Sequence, residues 1–125
     1  MIQGIVTADR EAVIHLALID ANGQSHSIRI VIDTGYTGWL TLPPDLISQL
    51  GLSFNRFGRA VLADGSEIAF NIYDAILLWD GQPLPIRVDA VDAEPLLGMS
   101  LMYGYKLTVE DVDGGIVTLE RLMSP

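Results

Sequence analysis

Four dipeptides punctuate the chain at intervals: Asn22-Gly23, Asp64-Gly65, Asp80-Gly81 and Asp113-Gly114. Each tolerates the positive φ angles of a tight hairpin turn. The stretches between them alternate with a period of two. In Ala12-Val13-Ile14-His15-Leu16-Ala17-Leu18 the residues Ala12, Ile14, Leu16 and Leu18 share one face, and Ile28, Ile30 and Ile32 share another in the segment 27–32. Further strands are expected near 57–63, 66–79, 84–91, 105–110 and 115–121. Short strands at this spacing predict a mainly β domain, a barrel or a sandwich.

Two short helices are expected to interrupt the strands. Pro43-Pro44-Asp45-Leu46-Ile47-Ser48-Gln49-Leu50-Gly51 opens on proline, carries an acid in its first turn and stops at glycine. Leu46, Ile47 and Leu50 would face the core. A second helical turn is expected over 99–103, after Gly98. With 125 residues and no internal repeat, linker or low-complexity tract, residues 1–125 are read as one domain.

Composition removes several classes of function. Cysteine is absent, and with it disulfides, thiolate metal sites and cysteine nucleophiles. His15 and His26 are the only histidines and have no metal-ligand spacing, so no metal site is expected. The formal charge of −9 would repel a phosphate backbone, which argues against nucleic acid as a partner. No apolar run reaches the roughly 20 residues of a membrane span. The first residues lack the basic stretch and apolar block of a signal peptide, so the expected location is cytoplasmic and no membrane partner is expected.

Chemistry concentrates at Ile30-Val31-Ile32-Asp33-Thr34-Gly35. An apolar, β-branched run ends in a carboxylate, a small hydroxyl residue and a glycine. Burying an ionised carboxylate is costly unless it is paired or hydrogen-bonded. Thr34 offers partners, and Gly35 lets another backbone approach closely. The other ten aspartates sit mostly in turns, beside glycine or among polar neighbours. The same three residues also make a good strand-ending turn, with the aspartate bonding the backbone two residues on.

Asp-Thr-Gly after a hydrophobic strand resembles the signature of the retropepsin-like aspartic proteases, and the likeness extends along the chain. Ala60-Val61-Leu62-Ala63-Asp64-Gly65-Ser66-Glu67-Ile68 reads as a hairpin where that family carries its flap. Pro95-Leu96-Leu97-Gly98-Met99-Ser100-Leu101-Met102 is similar to the family's apolar-apolar-Gly segment before a short helix. The segments 106–110 and 115–122 resemble the final strands of the bacterial single-domain group. The resemblance implies a closed retropepsin-like β-barrel and an aspartic endopeptidase that needs no cofactor. Asp33 would be the catalytic carboxylate. Thr34 would bond across a two-fold axis, and Gly35 would let the paired loops approach. Ala63, Asp64 and Gly65 would meet substrate from the flap tip, while Leu96, Leu97 and Gly98 would pack beneath the active-site loop. Because the chain holds one Asp-Thr-Gly, the implied partners are a second copy of itself and a peptide or protein substrate.

Departures from the family pattern leave a second reading open. Many relatives have Ala or Ser after the motif, where Tyr36 stands here, so Thr37 is expected to take over a serine's hydrogen bond to the carboxylate. Met99-Ser100 replace the Arg and polar residue that brace retroviral dimers. A non-catalytic dimerisation or peptide-binding module on the same barrel is the alternative. The intact Asp33, Thr34 and Gly35 favour the enzyme, and Tyr36 favours the module. Gly98-Met99-Ser100-Leu101-Met102 lacks the last glycine of a hydrolase elbow. Gly35-Tyr36-Thr37-Gly38 lacks the Lys and Ser/Thr of a phosphate cradle. Trp39 and Trp79 are expected in core or rim packing.

Overall fold

The computed structural model describes residues 1–123. Its strands are β1 (Ile2–Val6), β2 (Ala12–Ile19), β3 (Ser25–Ile32), β4 (Leu40–Leu42), β5 (Ser53–Val61), β6 (Glu67–Trp79), β7 (Gln82–Ala90), β8 (Leu96–Leu97), β9 (Tyr105–Val109) and β10 (Ile116–Arg121). Two helices, α1 (Pro44–Leu50) and α2 (Met99–Met102), interrupt them. The glycine of every Asx-Gly pair has positive φ: Gly23 at 82°, Gly65 at 85°, Gly81 at 83° and Gly114 at 74°. The turn chemistry of the sequence is therefore used at all four places.

The strands close on themselves. β2 pairs antiparallel with β3, β3 parallel with β8, β8 antiparallel with β4, β4 parallel with β7, and β7 antiparallel with β6. β6 then returns to β2 through Leu18↔Leu77 and Ile19↔Ile76. Closure is possible because β2 divides one edge between two partners. Its first residues, Ala12–Ile14, pair with β1, and its last two pair with β6. Outside this six-strand ring, β5 extends from β6, and β10 and β9 continue outward from β1.

Alternation places the core inside the ring. Ile14, Leu18, Ile30, Leu40, Leu42, Leu77, Val88 and Leu97 are fully buried. In α1, Ile47 and Leu50 are buried and Leu46 packs against the same cluster. Pro44 stands in the first turn of α1, and Gly51 ends it in the left-handed region, its N–H donating to the Ser48 carbonyl at 3.1 Å. No helix is long and apolar enough to cross a membrane among the described residues.

Three strands lie beyond the sequence expectation. β1 carries Gly4 in its middle, which breaks the alternation. The glycine is required there because a Cβ would run into the Val13 carbonyl of β2. β4 and β8 have three and two residues, too few for any period to register. The strand expected near 57–63 begins earlier, at Ser53, and ends at Val61 as β5.

Two expectations test this architecture. Leu77 is fully buried at the seam where β6 meets β2, so Leu77→Ala should cost about 2–5 kcal/mol in urea unfolding. A loss below about 1 kcal/mol would mean that the seam is not a packed part of the core.

The second concerns acid. Asp20 is held below the usual carboxylate range by His26 and by the Gln24 and Asn22 amides, and Asp64 by the Ser66 hydroxyl and amide. Asp80 is lowered by the N-terminal amine, 2.7 Å away, and by the Tyr105 hydroxyl. A carboxyl lowered in the folded state stabilises it fully above its unfolded range, near pH ~4, and loses that effect as pH falls through the folded value. The urea midpoint should therefore drop on acidification below pH ~4. Asp80→Asn, which tolerates the φ of 51° at this position, should make that acid-side drop smaller. An unchanged acid profile would remove Asp80 from the linkage.

Candidate active site

Asp33 directly follows β3 and begins a loop that runs to β4. The inserted strand β8 fixes where that loop starts. Val31 N–H donates to the Pro95 carbonyl and Asp33 N–H to the Leu97 carbonyl, both at 2.9 Å. On its other edge β8 bonds β4, and the buried Thr41 accepts the Leu96 N–H on its hydroxyl at 2.9 Å. Leu96 and Leu97 thus lie between the strand that carries Asp33 and the strand that receives the loop.

Asp33 is half-buried, while Thr34 and Gly35 are exposed. The Gly35 N–H donates to Asp33 Oδ1 at 2.9 Å, and the Tyr36 N–H donates to the Asp33 carbonyl at 3.2 Å. This is an Asx turn, as the motif's local chemistry predicts. Oδ1 accepts a bond that orients the carboxylate, and Oδ2 has no hydrogen bond among the described residues. The Thr37 hydroxyl has none to Asp33 there either. Its carbonyl instead accepts the Ser100 hydroxyl at 2.5 Å. The serine-like hydrogen bond expected of Thr37 is not made among the described residues, where residue 37 meets α2 through its backbone carbonyl.

Gly98 secures the loop from below. Its N–H donates to the Trp39 carbonyl at 3.0 Å, Met99 N–H to the Tyr36 carbonyl at 2.8 Å, and Ser100 N–H to the Gly38 carbonyl at 3.1 Å. A Cβ on Gly98 would strike the Gly38 carbonyl and stand 2.6 Å from Tyr36 Cδ2. A Cβ on Gly38 would stand 2.5 Å from Tyr36 Cζ. The two glycines therefore make the slot in which the Tyr36 ring lies. At its far end the Tyr36 hydroxyl donates to Asp89 Oδ2 of β7 at 2.5 Å. Sequence reasoning missed Asp89, which stands 53 residues from Tyr36 with no local pattern to mark it.

Ala63, Asp64 and Gly65 form the tip of the β5–β6 hairpin and are exposed. Asp64 Oδ1 accepts the Ser66 N–H at 2.9 Å and the Ser66 hydroxyl, and Leu62 N–H donates to the Ser66 carbonyl at 2.7 Å. The tip is self-contained: no hydrogen bond joins it to residues 33–35 among the described residues. The hairpin also exposes large apolar side chains, with Phe57 and Val61 each 71% accessible.

Two open clefts flank the loop without including Asp33. One, of about 560 Å³, is lined by Thr37, Trp39, Met99, Ser100 and Tyr103. The other, of about 740 Å³, lies among the end of β2, the end of α1, β6 and β7, and again includes Trp39. Trp39 is thus a rim residue of both clefts, whereas Trp79 is buried and packs edge-on against Tyr105.

No protein-family model matches the sequence, and no curated protein matches it. Among solved structures the chain is similar to the crystal structure of a retropepsin-like aspartic protease from Rickettsia conorii. The identity is 18%, the TM-score is 0.59, and the match covers 98% of this chain and 91% of that one. At this identity the likeness is one of fold. The chain is mainly β with two short helices and has a retropepsin-like fold.

The slot beneath the loop generates a prediction of its own. Gly98→Ala should destabilise the protein by about 1–3 kcal/mol, because its methyl group meets a backbone carbonyl and a pinned ring. Urea unfolding measures this directly, and a neutral substitution would show that the slot relaxes freely.

Proposed function

We propose that the chain is an aspartic endopeptidase, acting in the cytoplasm as a homodimer in which two Asp33 carboxylates face each other. One observation carries the reading: the only Asp-Thr-Gly of the chain stands at the exposed end of a core strand. Its carboxylate is half-buried and oriented through Oδ1, and Oδ2 is free of partners among the described residues. Thr34 and Gly35 are exposed, as residues that meet a second copy must be in a single chain. The fold shared with a retropepsin-like aspartic protease supports the same reading.

The chemistry follows from pairing. Two carboxyl groups about 3 Å apart cannot both ionise, so they share one proton. The ionised member removes a proton from a water molecule, and that water attacks the scissile carbonyl carbon. The neutral member donates its proton to the carbonyl oxygen as the tetrahedral intermediate forms. Proton transfer back to the amine nitrogen then releases the two peptide products. An isologous two-fold dimer brings the same loop opposite itself and so supplies both roles from one sequence. The hairpin tip at Ala63, Asp64 and Gly65 would close over the bound peptide, and Leu96, Leu97 and Gly98 would hold the loop in register beneath it.

The alternative, a non-catalytic peptide-binding or dimerisation module, draws on the Asx turn at Asp33, because a strand-ending turn needs no catalysis to explain it. Asp33→Asn separates the two. In a peptide-library cleavage assay the purified variant should lose at least about 10²-fold in kcat while keeping its urea midpoint. Excess Asp33→Asn mixed with wild type should suppress activity through heterodimers, and specific activity should fall on dilution. A monomer with full, dilution-independent activity would sink the homodimer mechanism. A dimer that binds peptides and cleaves none would assign the chain to the module.

A further inference from the structure

We propose that the Tyr36 hydroxyl and the Asp89 carboxylate form a positioning strut that holds the Asp33 loop, with Tyr36 acting on cleavage through Asp33 and not through substrate. The strut's role in cleavage rests on the reading of Asp33 as the catalytic carboxylate.

Tyr36 is the first residue after the Asp-Thr-Gly turn, and it is anchored at three points. Its N–H donates to the Asp33 carbonyl at 3.2 Å, its own carbonyl accepts the Met99 N–H at 2.8 Å, and its hydroxyl reaches Asp89 Oδ2 at 2.5 Å. The first anchor touches Asp33, the second ties the loop to α2, and the third ties it to β7. Asp89 is well placed to serve as a fixed point. It lies in the closed ring, in register with Thr41 of β4 on one side and Ile72 of β6 on the other. The ring of Tyr36 cannot easily swing away, because Gly38 and Gly98 leave a slot of its own thickness.

The need for such a strut is visible at Asp33 itself. Apart from Gly35 N–H on Oδ1, its carboxylate has no hydrogen bond among the described residues, so the carboxylate goes where the loop goes. A displacement of about 1 Å in a reacting group can cost about 10²-fold in rate. A phenol donating to a carboxylate makes a short, charge-assisted bond. Burial, together with the Asp89 carboxylate, raises the Tyr36 hydroxyl well above its ordinary range, so it stays a donor wherever the protein is folded. A residue with Ala or Ser dimensions at position 36 could not span to β7, which gives Tyr36 a physical purpose that packing alone does not.

Tyr36→Phe removes the hydroxyl and keeps the ring in its slot. We expect kcat to fall about tenfold with KM within about twofold of wild type. Asp89→Asn keeps a carbonyl acceptor for the phenol and should fall about threefold. The double variant should be no slower than Tyr36→Phe alone, because both substitutions act on the same bond and Tyr36→Phe already removes it. Independently of activity, hydrogen exchange at the Tyr36 and Met99 amides should accelerate about tenfold in Tyr36→Phe, with β6–β7 amides unchanged. Unchanged exchange overturns the strut. Faster exchange with wild-type kcat overturns its positioning role, as does a raised KM at constant kcat or a multiplicative double variant. If wild type cleaves no peptide, the protease reading fails by itself, and the exchange measurement still decides whether Tyr36 and Asp89 hold the loop.

Discussion

The architecture depends on two residues of backbone. Leu96 and Leu97 enter between β3 and β4 as a strand parallel to one and antiparallel to the other. Without that insertion the ring of six strands is open, because β3 and β4 share no pairing of their own. The same carbonyl that completes the β3–β8 ladder, that of Leu97, accepts the Asp33 N–H. Closing the sheet and fixing the start of the Asp33 loop are therefore one event. Thr41 contributes a detail to it: its buried hydroxyl takes the Leu96 N–H, which would otherwise be a buried donor costing about 1–3 kcal/mol.

From that insertion the loop's conformation follows step by step. Once β8 is in place, Gly98 must pass directly under Gly38, and no side chain fits between the two backbones. The ladder continues as Gly98 to Trp39, Met99 to Tyr36 and Ser100 to Gly38. Three consecutive amides at the start of α2 are thereby satisfied by loop carbonyls, so the short helix needs no side-chain cap. The loop and α2 stabilise each other, which explains how a helix of four residues persists here.

What could be read from the sequence was whatever rests on local chemistry. The Asx-Gly turns, the alternation in 12–18 and 27–32, the Pro-to-Gly bounds of α1 and the Asx turn at Asp33 all depend on residues within eight positions of one another. The mainly β class followed from their order, and the retropepsin-like fold from the resemblance to that family. β1, β4 and β8 could not, since they are strands only because a distant edge receives them. The Tyr36–Asp89 bond escaped for the same reason: Tyr36 stood out as a departure from the family pattern, but its partner lies 53 positions away with no local pattern to mark it. The expectation for Thr37 weighed a hydroxyl by its closeness in sequence, and the hydrogen bond residue 37 makes with α2 runs through its backbone, to Ser100. The slot between Gly38 and Gly98 escaped as well, because Gly98 stands 60 residues from Gly38 and 62 from the Tyr36 ring that both accommodate.

Charge sets the remaining constraint on how two such chains could meet. A formal −9 on each opposes association at neutral pH, and the repulsion weakens as carboxylates take up protons. Part of the charge is already locally compensated: Arg29 lies within 4 Å of both Glu11 and Glu94, at 3.9 and 3.6 Å. Glu11 is nevertheless raised, first by its hydrogen bond with Glu94, so Glu11 takes up a proton more readily than an isolated carboxyl would. Glu11 directly precedes β2, whose pairing with β3 begins at Val13↔Val31, two residues before Asp33. Acid thus reaches Glu11 ahead of the turn carboxylates Asp20, Asp64 and Asp80, whose hydrogen bonds hold them ionised. The same chemistry, a hydrogen bond to a carboxyl group, thus acts in opposite directions: from a second acid it raises Glu11, and from amides, hydroxyls or a cation it lowers the turn aspartates.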